Sequence, residues 1–138
     1  MRGEGVSQPK QDWTQTHLKE IIKYQKQLEM LPFDGMEMAR IEILSKMLVF
    51  IGKLSGEFSE QYKRIYATRK RVHAEAYLAA TKSKAQMAEL AVIDLREEEA
   101  EAYGNMKRWN NAFESTKEEI NALKFRLRIS FEDGSNRR

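Results

Sequence analysis

The chain has 138 residues and no cysteine, and its 24 Lys and Arg against 21 Asp and Glu give a formal net charge of +3. These numbers allow one small domain and exclude a disulfide scaffold and any cysteine-ligated metal site. The longest apolar run, residues 47–51, is far shorter than the roughly 20 residues of a membrane span. The N-terminal residues have no apolar core of a secretory signal. We therefore expect a cytoplasmic protein with no membrane partner.

A first helix is predicted over residues 13–31. Residues 1–11 are polar and contain two glycines and a proline, which predicts a disordered tail. Asp12 and Gln15 have the spacing of a capping box, and apolar residues then recur every three or four positions. Pro32 ends the helix because the residue before a proline avoids helical angles.

Two long helices, over residues 36–80 and 84–129, carry the clearest pattern in the chain. In both, apolar residues alternate at spacings of three and four, which is the heptad seam of a coiled coil. The second helix contributes Leu44, Ile51, Leu54, Phe58, Ile65 and Val72 to the seam, and the third contributes Val92, Leu95, Met106, Trp109, Phe113, Ile120, Leu123 and Leu127. Charged residues flank the seam on both sides.

The junction between the two long helices is predicted to be a turn at residues 81–83. The phase of the seam changes there, and Ser83 with Gln86 has the spacing of another capping box. The two arms are of nearly equal length, as a hairpin requires. No proline or glycine enforces the turn, so one continuous helix from residue 36 to 129 stays the alternative.

The charge distribution favours the hairpin. Residues 61–84 contain seven bases and one acid, whereas residues 85–102 contain six acids and one base. In an antiparallel hairpin these opposite charges flank the same seam. This arrangement places Arg69 opposite Asp94 or Glu97, and Lys63 and Arg64 opposite Glu99 and Glu101.

The predicted fold is all-α: a long antiparallel helical hairpin, or coiled coil, with the shorter N-terminal helix packed at one end. That helix can cover only the end near residues 36–55 and 110–128. Residues 12–131 form the single helical domain, and residues 132–138 are predicted to be a flexible tail. Because a bare two-helix arm buries little surface, we expect a homo-oligomer.

Two glycines interrupt the second helix with a small-xxx-small spacing. Gly52 and Gly56 each cost about 1 kcal/mol relative to alanine in a helix. We predict that another helix approaches closely there, around Trp109; a kink is the alternative.

Basic residues along the two long helices have two interpretations. The side chains that would contact nucleic-acid phosphates are Lys63, Arg64, Arg69, Lys70, Arg71, Lys124, Arg126 and Arg128. Tyr62 and Tyr66 lie among the first five and offer rings for stacking. In the alternative interpretation, the first five pair with the acidic helix and the last three complement a helix dipole.

The sequence contains none of the motifs that would indicate an enzyme active site. There is no activated nucleophile, no glycine-rich phosphate loop and no Glu-x-x-His metal motif at His17 or His73. The Glu97–Glu101 cluster is interpreted as a solvated face. We predict no catalytic residue, no metal ligand, no cofactor and no small-molecule substrate, and hence not an enzyme.

Parts of the chain resemble small helical proteins of tailed bacteriophages, whose genes often lie near replication or recombination functions. The resemblance rests on residues 71–78, 84–91 and 122–128, together with the Glu-rich helix between the last two, and it covers residues 60–128. It implies a phage protein of the host cytoplasm, and no functional residue carries over from it.

The sequence therefore predicts a non-enzymatic helical protein–protein interaction or assembly factor of phage origin. One alternative is a nucleic-acid-binding accessory factor in phage DNA replication or recombination. Another is an inhibitor that docks on a host enzyme.

Overall fold

The structure, a computed structural model, describes the backbone of residues 4–32 and 34–136 and the side-chain burial of residues 13–32 and 34–134. Within these residues it consists of helices and contains no strand. The four helices are α1 (Glu4–Glu29), α2 (Glu37–Ala79), α3 (Lys84–Ala91) and α4 (Ile93–Asn136). The long helices α2 and α4 pack against each other, and the shorter α1 packs on α2. This confirms the predicted all-helical hairpin with a shorter N-terminal helix.

The chain divides into two compact units. The first unit comprises the described residues up to Leu54 and from Asn110 onward, so it contains α1, the start of α2 and the end of α4. The second unit, Ser55–Trp109, contains the rest of α2 and α4 with α3 and the connecting turn.

The first unit has the larger core. Its buried apolar side chains come from one face of α2 and one face of α4, at the three- and four-residue spacing that puts them on a common side of each helix. These side chains are Leu44, Met47, Ile51, Leu54, Ile120 and Leu123. Two rings on α1 contact α2: Tyr24 stacks on Phe50 with ring centroids 6.1 Å apart, and His17 lies 5.6 Å from the same ring.

The second unit has a thin core. Its fully buried apolar side chains, among the residues described, are Ala88, Val92 and Ala102, all of them small. Larger rings pack at the edge of this core, where Phe58 and Trp109 stack with an interplanar angle of 6°. Because these side chains are small, folding of the second unit buries little apolar surface per residue, and the hydrophobic stabilisation per residue is correspondingly small.

The connection between α2 and α3 confirms the predicted turn, so the alternative of one continuous helix is wrong. Helix α2 ends at Ala79 and α3 begins at Lys84. The predicted capping box is also wrong. Ser83 precedes α3 with φ 49° and ψ 47°, in the left-handed region, and its side chain makes no cap hydrogen bond. An N-cap side chain needs the extended backbone that Ser83 lacks.

The predicted helix over residues 84–129 is broken once, at Val92. Val92 has φ −114° and ψ 10°, and its N–H donates to the carbonyl of Glu89 at 3.3 Å, one residue short of α-helical spacing. The regular ladder resumes with Arg96 N–H donating to the Val92 carbonyl at 2.9 Å. The β-branched pair Val92 and Ile93 weakens helix formation locally, and complete burial of Val92 holds the break in place.

Both outer helix ends lie beyond the predicted bounds. Helix α1 begins at Glu4, inside the stretch 1–11 for which disorder stays a prediction; residues 1–3 lie outside the described part. Helix α4 runs to Asn136, into the tail predicted to be flexible from residue 132. Adding residues to a formed helix costs far less than starting one, so weak caps do not stop it.

A close approach to Gly52 is predicted because glycine destabilises a helix interior. The structure confirms a close neighbour there, but the neighbour is Phe113 and not Trp109. A Cβ added at Gly52 would lie 3.2 Å from Phe113 Cε2. Gly56 has open space instead, because nothing lies within 4 Å of a Cβ built there.

Candidate functional site

Apolar side chains concentrate on the surface around the turn of the second unit. Of the 15 large hydrophobic residues that are exposed in the described chain, five lie between residues 77 and 93. Leu78 is 77% exposed and Leu90 is 62% exposed. The five side chains are Tyr77, Leu78, Met87, Leu90 and Ile93, and we call them the tip surface.

Two members of the tip surface line an open groove of about 570 Å³. Leu90 and Ile93 form its apolar wall, and Ala85 and Gln86 line it as well. Helical geometry explains why these residues face outward. The seam turns Ala88 and Val92 completely inward, and Leu90 lies two residues from each of them, about 200° around the helix.

The rim of this groove is charged, and its charges are paired. Glu89 accepts a hydrogen bond from Arg96 Nη2, with an ion-pair distance of 3.1 Å, and lies 3.2 Å from His73 Nε2. Glu89 and Arg96 both line the groove. A polar rim around an apolar centre is the usual anatomy of a protein–protein interface. With its charges paired, this rim favours an apolar contact over capture of a charged ligand.

Arg69, one of the predicted phosphate-contacting residues, is engaged inside the second unit. Its Nε donates to Glu99 Oε2 at 2.5 Å and its Nη2 to Oε1 at 3.3 Å. The two side chains are only 14% and 15% exposed. The hydrogen bond that Arg69 donates to Glu99 raises the pKa of Arg69 above its ordinary value. The prediction that Arg69 pairs with Asp94 or Glu97 is therefore wrong, because opposite charge in two stretches favours their pairing without fixing which carboxylate comes within reach.

The neighbouring basic residues are exposed. Arg64 pairs with Glu60 on its own helix, not with Glu99 or Glu101, and Arg71 Nη1 lies 3.8 Å from Glu75. Lys63 and Lys70 are exposed as well. Lys70 Nζ lies 5.2 Å from the centroid of the Tyr66 ring. Neighbouring carboxylates thus offset part of the positive field of this helix.

The second basic group belongs to the first unit. Lys124, Arg126 and Arg128 are all exposed on α4, and the apolar side chains of Phe125 and Ile129 are exposed beside them. This stretch therefore combines positive charge with apolar surface.

All predicted seam residues are at least half-buried in the folded chain. The buried ones are Leu44, Ile51, Leu54, Val92, Ile120 and Leu123, and the half-buried ones are Phe58, Ile65, Val72, Leu95, Met106, Trp109, Phe113 and Leu127. The seam therefore packs helix against helix within one chain. A second copy would have to bind elsewhere.

His17 is a buried titratable group in the core of the first unit. It is buried, and neither of its ring nitrogens has a hydrogen-bond partner among the described residues. Its ring meets Trp13 edge-on at 4.0 Å between centroids. Burial, with the charge of Lys53 adding to it, lowers the pKa of His17 below its usual range. The lowered pKa favours the uncharged ring, which packs against the rings of Trp13 and Phe50.

Among the described residues, no group of three His, Asp or Glu side chains lies close enough together to hold a metal ion. Nor is any helix in that part of the chain long and apolar enough to cross a bilayer.

The tip surface does not stand out in the sequence. Its members are single apolar residues between seam positions, and such residues are common on protein surfaces. The signal that was present is their clustering within 17 residues around a turn. Comparison with protein-family models, with curated proteins and with solved structures gives no match to this chain.

Proposed function

We propose that the chain is a non-enzymatic helical interaction protein that docks on an apolar site of another protein through the tip surface. The observation that carries the proposal is the exposure of Leu90 and Ile93 in a groove with a charge-paired rim, with Leu78 exposed at the end of α2 before the turn. Covering these side chains releases water from apolar surface, at about 25 cal/mol per Å². Contiguous exposed apolar patches on soluble domains mark interaction sites more often than chance placement does.

The architecture supports this role. The tip surface lies on helices whose seam residues pack against each other within the chain. Its own side chains are exposed, so the core does not depend on them. An accessory role of phage origin fits the resemblance of residues 60–128 to phage helical proteins. An inhibitor of a host enzyme would use the same surface, and the identity of the bound protein decides between these roles.

The test compares capture by wild type and by two variants. Tagged wild-type chain, Leu90→Asp and the control Ile22→Asp are incubated with bacterial host extract, and bound proteins are quantified by mass spectrometry. Ile22 is also exposed but lies on α1 in the first unit. We expect a protein that wild type and Ile22→Asp retain and Leu90→Asp loses, and that binds the purified chain with the same pattern. Equal binding of that purified partner to Leu90→Asp would refute the proposal.

Nucleic-acid binding is a second candidate, and one observation favours it. Lys63, Tyr66 and Lys70 are all exposed and recur at helical spacing on α2, which puts a ring between two cations on one face. Rings flanked by cations are the usual elements of single-strand binding. The pairing of Arg64, Arg69 and Arg71 with carboxylates weakens this candidate.

Fluorescence anisotropy with a labelled single-stranded oligonucleotide tests the second candidate. If it holds, binding falls steeply with salt, and Lys63→Glu with Lys70→Glu lowers the log–log slope by about 0.7 per lost phosphate contact. The matched control is Lys117→Glu, which changes an exposed lysine of the first unit. Binding unchanged by the double substitution would remove this surface from consideration.

A further inference from the structure

The first unit contains a cavity that the proposed function does not use. It measures about 640 Å³ and opens where α1 ends and α2 begins. Its floor is apolar, formed by Leu44, Met47 and Leu123, all of them buried. Helices α1, α2 and α4 all contribute to its wall.

The rim of this cavity is acidic. Four carboxylate residues line it, Glu29, Asp34, Glu37 and Glu119, against two arginines. One of those arginines, Arg40, donates from Nη2 to the carbonyl of Pro32 at 3.1 Å. An apolar floor under a mainly acidic rim suits an occupant that combines apolar side chains with positive charge.

The same unit carries a segment of that chemistry. Residues 124–131 of α4, the α4 end, expose three large apolar side chains and three cations, and two exposed acids, Glu132 and Asp133, follow them. Phe131 is 74% exposed and Phe125 is 59% exposed, and Ile129 is exposed between them. Lys124, Arg126 and Arg128 are the exposed cations, and every residue from 128 to 134 is exposed.

The α4 end cannot fill the cavity of its own chain. Leu123 and Arg126 of α4 already line that cavity, and the helix then continues without interruption to Asn136. An α-helix advances about 1.5 Å per residue in one direction, so its last turns lead away from the wall they extend. A second copy of the chain, however, can present the same segment from the opposite direction.

We propose that two copies of the chain form a two-fold dimer in which the α4 end of each copy packs over the acid-rimmed cavity of the other. A two-fold interface uses the same patch on both copies, so each complementary contact occurs twice. Exposed aromatic side chains then reach apolar walls, and Lys124 and Arg128 face an acidic rim. The dimer uses residues of the first unit and the proposed function uses residues of the second, so the dimer does not depend on the proposed function.

Sedimentation velocity over a range of concentrations tests the dimer. Wild type is expected to approach twice its 16.2 kDa mass as the concentration rises. Phe131→Asp is expected to stay monomeric with unchanged helix content, because the Phe131 side chain is 74% exposed among the described residues. The control Leu78→Asp alters an equally exposed residue of the second unit and is expected to dimerise normally.

A pair of charge reversals identifies the interface. Glu119→Lys makes one rim basic, and Arg128→Glu makes one α4 end acidic. Each variant alone is expected to lose the dimer, because each then opposes like charges twice. A mixture of the two is expected to recover it, because both contacts in the mixed dimer join opposite charges.

Three outcomes would overturn the proposal. One is a wild-type chain that stays monomeric at every concentration. Another is a dimer that persists in Phe131→Asp or disappears in Leu78→Asp. The third is a mixture of Glu119→Lys and Arg128→Glu that stays as monomeric as its components.

Discussion

Two glycines of α2 differ sharply in their surroundings, and replacing each by alanine separates helix propensity from packing. Both substitutions remove the entropic cost of glycine in a helix interior, worth about 1 kcal/mol. At Gly56 nothing lies within 4 Å of the new methyl group, so the whole gain should appear. Gly56→Ala should therefore raise the free energy of unfolding by about 1 kcal/mol, which is about 4 °C in Tm for a chain of this size.

At Gly52 the same gain meets a steric cost. The new Cβ would lie 3.2 Å from Phe113 Cε2 and 3.6 Å from Cδ2. Carbon atoms attract best at about 3.5–4.0 Å, so the ring must retreat by a few tenths of an ångström. Overpacking of this kind costs about 1–3 kcal/mol. We expect Gly52→Ala to be between neutral and about 2 kcal/mol destabilising, after the propensity gain is included.

Urea unfolding followed by far-ultraviolet circular dichroism measures both variants against wild type. The discriminating quantity is the difference between them, expected to be at least about 1 kcal/mol in favour of Gly56→Ala. In the background Phe113→Leu, which shortens the opposing side chain, Gly52→Ala should recover the propensity gain. Equal stabilisation by the two alanine variants would refute the claim that Phe113 restricts Gly52.

Three further outcomes are expected. Acidification should lower stability. The unfolded chain protonates His17 near the ordinary pKa of 6.5, whereas burial lowers the pKa of the folded ring. The unfolding free energy should therefore be highest above pH 6.5 and fall below it, and His17→Phe should flatten this part of the profile. Ser83→Gly should stabilise the chain by about 0.5–1 kcal/mol, because φ is 49° there; an unchanged urea midpoint would contradict this. Arg69→Glu and Glu99→Arg should each lower the urea midpoint, and the double variant should recover much of the loss; additive losses would show that the pair is not coupled.

The turn and the core of the hairpin could be predicted because both leave a trace in the spacing of apolar residues. The seam that includes Leu54 and the seam that includes Val92 have different phases, and a single straight helix cannot keep both on one side. The same periodicity identifies side chains that are completely buried, such as these two.

The backbone details at Ser83 and Val92 could not be predicted for a physical reason. Neither position has the glycine or proline that usually marks a break. Serine before a helix suggests a cap, yet the closing turn holds Ser83 in the left-handed region. Local propensity is weak, and the packing of two long helices overrides it.

The candidate site consists of apolar side chains that no other helix covers, and the spacing of apolar residues in the sequence does not predict which side chains those are. Leu90 and Phe131 are apolar residues outside the seam, and the sequence does not say whether a third helix covers them. Helix α1 packs in the first unit, so the outer face of α3 has no covering helix within the second unit. Whether a side chain is exposed depends on how the helices pack, and this information comes from the structure and not from the sequence.

The ion pair between Arg69 and Glu99 bears on how the hairpin selects one alignment. An ion pair this far from solvent adds little to the free energy of unfolding, because the attraction between the charges mainly offsets the hydration that both groups lose. A heptad seam, however, repeats every seven residues, and its apolar contacts tolerate a slip by one repeat. Such a slip would bring Arg69 opposite Val92 or Met106 in place of Glu99, which buries an unpaired guanidinium among apolar side chains. We infer that the pair between Arg69 and Glu99 makes the slipped alignments unfavourable. A fixed alignment in turn fixes where the chain turns and which apolar residues around the turn stay exposed.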